Sequence, residues 1–447
     1  MLASRFILLS NPKSGPDSSR EHRKFTTIFR LFKPFDCVYS RPYFYFMTTI
    51  QIGLIQERKQ PSDFRVPLTP AQCAQVLRDF PEVQLFVESS PHRCFPDELY
   101  TQQGIPVVND VSHCDVLMGV KEVPADALIP NKKYFFFSHT LKKQPYNAKL
   151  LRAILDKQIT LVDYEALKDK SGKRVIGFGR YAGIVGVYEG IRAFGMKHQS
   201  FELPSAITLH DRKELDSLMK ALDVSNYRAV VTGWGRVGHG AEEVMVDLNL
   251  ERISPEEFLA NPDRKGVYTH IDTPEMYKRI DGTAFDKADF YANPNAYTSN
   301  LEAYVKHADI YFASHLWNAK NPVLLDADFF KQHTRCKVVA DISCDLNGPI
   351  ACTIKASKVS DSVFGYEPST ELECDFQLPD AIAVMSIDNL PCELPKDASE
   401  DFGNEIIKSI IPALLNNDAD GLLFGGTETE GGKLTPHFSY LEEYANV

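Results

Sequence analysis

The sequence predicts an α/β protein with two Rossmann-like domains, each built on a mostly parallel sheet, and a cleft between them. Three observations predict it. Short apolar runs alternate with amphipathic stretches from Met47 onward, and a strand at 227–232 runs straight into a glycine-rich turn and a helix. The third is length, because 447 residues exceed what one compact core holds.

Taken in order, IQIGLI (50–55), VQLFVES (83–89), DVLMGV (115–120), KYFFFS (133–138) and ITLVDY (159–164) read as strands. Each is short, β-branched or aromatic, and bounded by turn residues. Between the first two, Thr69 followed by Pro70 marks a helix start, since proline at the first helical position lacks only an N–H that has no partner there. Residues 145–157 carry helical spacing. Strand and helix in alternation imply a parallel sheet covered on both faces. Near residue 181 a second unit opens with YAGIVGVYEGIRAFG, a helix of small residues suited to close packing. The polar helix 211–222, the strand 227–232 and the glycine turn follow, then strands at 308–314 and 337–343. After residue 350 the repeats are no longer clean, and a helix at 401–415 precedes a polar tail.

Composition excludes several classes of function. A net charge of −11 disfavours nucleic acid and anionic membranes, which attract basic surfaces. No apolar run approaches the roughly 20 residues of a membrane span. Nine cysteines without a C-x-x-C pair suggest neither a zinc site nor a disulfide framework, so no metal and a cytoplasmic location are expected. Residues 1–46 are basic and rich in Ser and Phe. They read either as a transit peptide or as an over-extended start with the chain proper beginning at Met47; the second is favoured, and the segment is set outside the fold.

The glycine turn reads Gly233-Trp234-Gly235-Arg236-Val237-Gly238-His239-Gly240 and leads into AEEVMVDL. Gly233 makes the tight turn, Gly235 lets backbone amides approach a pyrophosphate, and Gly238 lets helix pack on strand. With Arg236 and Val237 these are the expected cofactor-binding residues of a nicotinamide-dependent oxidoreductase. About 20 residues on, an acid should bond the ribose. Ser254 stands there instead, beside Arg252 and ahead of Glu256 and Glu257, so NAD and NADP both stay open, with NAD favoured.

In the first domain three strand ends carry reactive side chains: Arg65, Lys121-Glu122 and His139. Ligands of parallel sheets bind beyond the carboxyl ends of strands. A lysine and a histidine held together exchange protons near neutral pH, and an arginine fork suits a carboxylate.

These blocks resemble the lysine-forming saccharopine dehydrogenases and the lysine–ketoglutarate reductase portion of aminoadipic semialdehyde synthases, within the alanine dehydrogenase and transhydrogenase superfamily. The likeness is carried by FRVPLTP (64–70), GVKEVP (119–124), FFFSHTLKKQ (135–144), ITLVDYEAL (159–167), RVIGFGRYAGIVG (174–186), GWGRVGHGA (233–241), DISCD (341–345) and MSIDNLPCELPKDASEDFG (385–403). It implies Lys121 and His139 as the acid–base pair, Arg65 and Arg174 on substrate carboxylates, Glu122 and Glu165 tuning charge, and Asp345 near the nicotinamide. It also implies that the C-terminal segment completes the first domain. The expected layout is therefore 47–180 plus 350–447 as the catalytic domain and 181–349 as the dinucleotide-binding domain. His315 departs from the family pattern. The reaction implied is interconversion of saccharopine with L-lysine and 2-oxoglutarate by a monomer or small homo-oligomer. A small amino-acid dehydrogenase such as alanine dehydrogenase, and a non-catalytic nucleotide-binding regulator, are the rival readings.

Overall fold

A computed structural model describes residues 49–332 and 335–446. The expectations for residues 1–46 lie outside the described residues.

The first sheet contains β1 (Ile50–Leu54), β2 (Val83–Glu88), β3 (Val107–Val108), β4 (Val116–Met118), β5 (Lys133–Phe136) and β6 (Thr160–Asp163), all parallel. Most of their apolar residues are buried because helices cover both faces, so the inner strands read as apolar runs. The second sheet contains β7 (Arg228–Thr232), β8 (Glu251–Arg252) and β9 (Val267–Ile271). A two-stranded ribbon, β10 (Tyr277–Arg279) with β11 (Tyr297–Ser299), lies outside it. The sheet continues with β12 (Ile310–Ala313), β13 (Val338–Asp341), β14 (Val363–Glu367), β15 (Leu372–Cys374) and β16 (Ile382–Met385). Last, β17 (Thr427–Glu430) and β18 (Lys433–Leu434) return to the first sheet. The orders are β18-β17-β6-β5-β4-β1-β2-β3 and β15-β14-β16-β13-β12-β7-β9-β8.

The α/β class is as expected, but the expected boundary at residue 350 needs correction. Residues 363–385 belong to the second sheet: β16 pairs parallel with β13, and β14 pairs antiparallel with β16 and β15. An antiparallel hairpin has no crossover helix, which is why strand–helix repeats fade there. Chain return begins after β16, through the turn Leu390–Glu393 and the helix Pro395–Glu405. Phe402, Ile406, Ile410 and Ile411 then enter one core with Ile52, Leu85 and Met118 of the first sheet.

One contact sets how closely the second lobe packs. The long helix Gly179–His198 crosses the helix Arg236–Asp247 with almost no side chain between them. A Cβ on Gly183 would collide with the Val237 carbonyl, and one on Gly240 with the Arg180 carbonyl. The phenyl rings of Phe178, at the start of the long helix, and Phe402, from the returning segment, stack 4.4 Å apart.

In an ordinary helix interior Gly→Ala stabilises by about 1 kcal/mol. At Gly183 the sign reverses. Gly183→Ala is expected to destabilise by roughly 1–3 kcal/mol through overpacking, read as a lower midpoint in urea unfolding. A raised midpoint contradicts the backbone-to-backbone crossing.

Candidate active site

Each sheet has one place where successive strands depart in opposite directions, and in open α/β sheets ligands collect there. In the first sheet it lies between β1 and β4. Beyond β1 stands Glu57, whose Oε1 and Oε2 accept the backbone N–H groups of Val120 and Lys121 at 2.6 and 2.9 Å. Burial pushes the Glu57 carboxyl up to about 8. Sequence reasoning missed this residue; its signal was an acid directly after the first strand.

Arg65 is almost wholly buried. Its Nε and Nη2 donate to Asp63 Oδ1 and Oδ2 at 3.0 and 2.6 Å, Nη2 also reaches Asn389 Oδ1 at 3.1 Å, and the guanidinium lies 4.0 Å over the Phe178 ring. Burial raises the Asp63 carboxyl, but the Arg65 charge and hydrogen bonds outweigh it and hold it well below the usual range. Among the described residues Arg65 Nη1 has no hydrogen-bond partner, so one edge of the fork is free. Beside it Lys121 is half-buried, and its Nζ has no hydrogen-bond or ion-pair partner among the described residues. Burial first, and the Arg65 charge second, lower the lysine's pKa. A lysine that sheds its proton more readily is a competent base.

His139 follows β5 in a left-handed conformation, φ 54°. Its Nδ1 lies 3.0 Å from Glu122 Oε2, and Glu122 also pairs with Lys59. Burial pushes Glu122 up, but hydrogen bonds from His139 and Lys59 prevail and bring it down to about 2. A carboxylate can only accept, so Nδ1 carries hydrogen and the neutral ring keeps its lone pair on Nε2. Glu122 thus orients the His139 imidazole, and Lys121, its neighbour in sequence, bears an amine with no hydrogen-bond partner among the described residues. Arg174 is exposed and donates from Nη2 to Glu165 Oε1 at 3.1 Å.

In the second sheet the reversal lies between β7 and β12. Gly233 leaves β7 with φ 92°, and a Cβ there would strike Ser314 and His315, which follow β12. A Cβ on Gly238 would collide with the Gly233 carbonyl. Gly235 differs: a Cβ would meet nothing within 4 Å, so its backbone faces open space at the start of the helix Arg236–Asp247. No side chain caps that helix start. His315 donates or accepts through Nδ1 with Thr232 Oγ1 at 2.8 Å, while its buried Nε2 lacks a partner among the described residues and burial lowers the ring to about 4. An uncapped helix start, an open glycine and an orphaned nitrogen beside it fit a dinucleotide phosphate and its attached groups.

Two sequence expectations change here. Arg236 Nη2 donates to the carbonyls of Arg174 and Val175 at 2.9 and 2.7 Å, so it fastens the glycine turn to the first lobe. Ser254 follows the edge strand β8 and caps the helix Pro255–Ala260 through the Glu257 N–H. The strand beside β7 is β9, and Gly233 N–H bonds to its Ile271 carbonyl at 2.9 Å. The acid at that strand end is Asp272, half-buried and capping the next short helix. The helix between β8 and β9 lengthens the connection, which defeats a count of about 20 residues. Its missed signal was Val267-Tyr268-Thr269-His270-Ile271, a β-rich run between Gly266 and Asp272. Nor is Arg252 free: it pairs with Glu242 at 3.2 Å and lies 4.8 Å over the Trp234 ring. Beyond β13, Asp345 is half-buried; burial raises its carboxyl, against the pull of Lys142 from the loop after β5. Val237, next in the turn, packs against the crossing long helix.

The family model of the alanine dehydrogenase/PNT N-terminal domain matches residues 53–185. An α-aminoadipic semialdehyde synthase of Arabidopsis thaliana is 27% identical over 437 residues, covering 87% of this chain and 41% of that protein. The mitochondrial synthase of Mus musculus is 25% identical, covering 85% and 46%. The chain thus spans less than half the length of these synthases. The L-lysine-forming, NAD(+) saccharopine dehydrogenase of Yarrowia lipolytica is 26% identical, covering 81% of this chain and 92% of that one. A solved L-alanine dehydrogenase shares the fold with TM-score 0.61 at 16% identity, over 88% of this chain and 99% of that chain. Over most of its length the chain is thus similar to saccharopine dehydrogenases and α-aminoadipic semialdehyde synthases, and residues 53–185 match the alanine dehydrogenase/PNT N-terminal domain.

Proposed function

We propose that this chain is a nicotinamide-dependent dehydrogenase that interconverts saccharopine with L-lysine and 2-oxoglutarate. The observation that carries the reading is Lys121: a half-buried amine without a partner among the described residues, beside the buried Arg65 and one residue from the carboxylate that orients His139. Homology over most of the chain to L-lysine-forming saccharopine dehydrogenase supports the choice of substrate.

Imine formation and hydrolysis need protons moved at nitrogen and at oxygen. Lys121 Nζ and His139 Nε2 can divide that work, because each has a free position and their environments differ. The free edge of Arg65 and the exposed Arg174 suit the carboxylates of a dicarboxylic substrate. Glu122 and Glu165 fix the charges around them. When bound, the nicotinamide accepts or donates the hydride. Gly233, Gly235, Gly238 and the helix start behind them would hold its pyrophosphate, with Asp345 on the far strand end. Asp272 would accept from the ribose hydroxyls and repel a 2′-phosphate, which favours NAD; Arg252, neutralised by Glu242, offers no counter-charge.

NADH oxidation should appear with L-lysine plus 2-oxoglutarate and be absent with pyruvate plus ammonia. Turnover with pyruvate alone overturns the reading. Lys121→Met and His139→Gln are each expected to lower kcat by about 100- to 10,000-fold, with the NADH dissociation constant unchanged; wild-type rates in both remove the pair from the mechanism. Gly235→Ala should melt like the wild type, since its Cβ meets nothing, yet lose NADH affinity at least about tenfold as backbone approach is blocked. Equal affinity counts against the turn. Binding of NADH at least about tenfold tighter than NADPH is expected, with Asp272→Ser narrowing the ratio by removing one repelled charge; tighter NADPH binding contradicts the role of Asp272.

A further inference from the structure

Behind His139 lies a group of buried polar side chains that the proposed chemistry does not use. Ser138, Thr140, Asp163 and Glu428 are all essentially inaccessible to solvent. Glu428 comes from β17, the returning strand, and occupies a bulge: Thr427 pairs with Val162 and Thr429 with Leu161, so Glu428 is the extra residue. A bulge re-aims a side chain, and here it brings Glu428 against the residues flanking the histidine. Thr140 Oγ1 lies 2.7 Å from Glu428 Oε1 and 2.9 Å from Oε2, and Ser138 Oγ lies 3.3 Å from Oε2. Ser138 and Thr140 hydroxyls are 2.6 Å apart, and Ser138 Oγ makes a short contact with Asp163 Oδ2. Backbone bonds close the turn: Ser138 N–H donates to Asp163 and Thr140 N–H to Ser138 Oγ, at 3.0 and 3.1 Å. His139 sits between the two anchored residues, in the left-handed conformation an L-residue seldom adopts.

Proton counting decides the state of this group. The chain Glu428–Thr140–Ser138–Asp163 contains three close oxygen–oxygen contacts and only two hydroxyl hydrogens. With both carboxyls ionised, one contact would set lone pairs against each other, and two like charges would share a site without water. Around Glu428 stand Asp163 on β6, Glu165 after it, and the phenols of Tyr440 and Tyr444, with Lys143 over the Tyr440 ring. No lysine or arginine among the described residues is hydrogen-bonded to either carboxyl. A third proton is therefore needed. Asp163 Oδ1 also accepts Glu165 N–H at 2.6 Å and its Oδ2 accepts two donors, which suits an anion; the Glu428 carboxyl has no backbone donor among the described residues. The proton belongs on Glu428.

We propose that Glu428 is a positioning residue for His139: held neutral, it donates to Thr140, which donates to Ser138, which donates to Asp163, and this chain fixes the turn that presents the imidazole. The inference rests on the reading of His139 as an acid–base group. It gives the C-terminal strand a hold on His139 from behind, without making Glu428 a group that acts on substrate. Burial, followed by the nearby Asp163, pushes the Glu428 carboxyl up to about 8, so the chain is intact at neutral pH and fails as Glu428 ionises in more alkaline solution.

The test compares Glu428→Gln with Glu428→Ala in the full chain, together with Thr140→Val, which breaks the relay without burying a charge. The readouts are kcat and the imidazole NMR signals of His139, assigned by their loss in His139→Gln. Glu428→Gln keeps a neutral donor, so its neutral-pH spectrum and kcat should match the wild type, and its His139 signals should not move above about pH 8, where those of the wild type do. Glu428→Ala and Thr140→Val should shift the His139 signals and lower kcat about 10- to 100-fold, the scale of a displaced catalytic group, with NADH affinity unchanged. Unmoved His139 signals in both Glu428→Ala and Thr140→Val overturn the proposal, as does a Glu428→Gln variant as impaired as Glu428→Ala. The NMR readout is independent of turnover: if His139→Gln is fully active the catalytic reading fails, while the signals of His139 still decide whether Glu428 positions it.

Discussion

The buried charge of Arg65 is the constraint on which the proposed site depends. A guanidinium taken out of water needs a counter-charge and hydrogen bonds, or it costs several kcal/mol. Asp63 supplies the charge, Asn389 a further acceptor and Phe178 a ring face. Those partners come from three separate stretches: the loop after β1, the turn that leads the chain back from the second sheet, and the start of the long helix. Satisfying one cation therefore ties the return segment and the crossing helix to the first sheet. The same charge acts on Lys121, whose amine is left unpaired and easier to deprotonate.

The two lobes repeat one arrangement with different chemistry. In each, the chain reverses direction across the sheet beside the strand that opens the lobe, and the candidate site residues gather at that point. At β1 and β4 they are acids and bases, as proton transfer in the proposed reaction would need. At β7 and β12 they are glycines and an uncapped helix start, which suit a phosphate held by backbone. Arg236 links the two by donating to carbonyls 174 and 175, so the glycine turn and the substrate-side loop cannot move independently without breaking those bonds. Close packing of Gly183 and Gly240 across the crossing helices holds that turn rigid from behind.

Much of this was legible in the sequence, for physical reasons that differ by element. Strands β4, β5, β6 and β7 are almost wholly buried, and β1 and β2 largely so, and each shows as a short apolar-rich run. Lys121, Glu122 and His139 follow such runs directly, so their place at strand ends could be read. What could not be read depended on which strands are neighbours. Ser254 drew attention at the customary distance from the glycine turn, but adjacency to β7 belongs to β9, and that is a property of the sheet. Glu57 and Asp63 were similarly hidden, since their importance comes from backbone amides and a cation brought to them by folding. Glu428 lies some 290 residues from Thr140 and carries no motif; only a bulge in a returning strand brings them together.

The most direct test of this account is the titration of the Lys121 amine itself. Methylating the lysines with a carbon-13 label and following the Lys121 signal by NMR, assigned by its loss in Lys121→Met, gives its midpoint without substrate or cofactor. A midpoint well below the value of about 10.4 for a free lysine is the expected result, because burial and Arg65 both disfavour the charged amine. A midpoint at or above that value would contradict the account, since Lys121 would then be an ordinary surface charge rather than a base held ready beside a buried arginine.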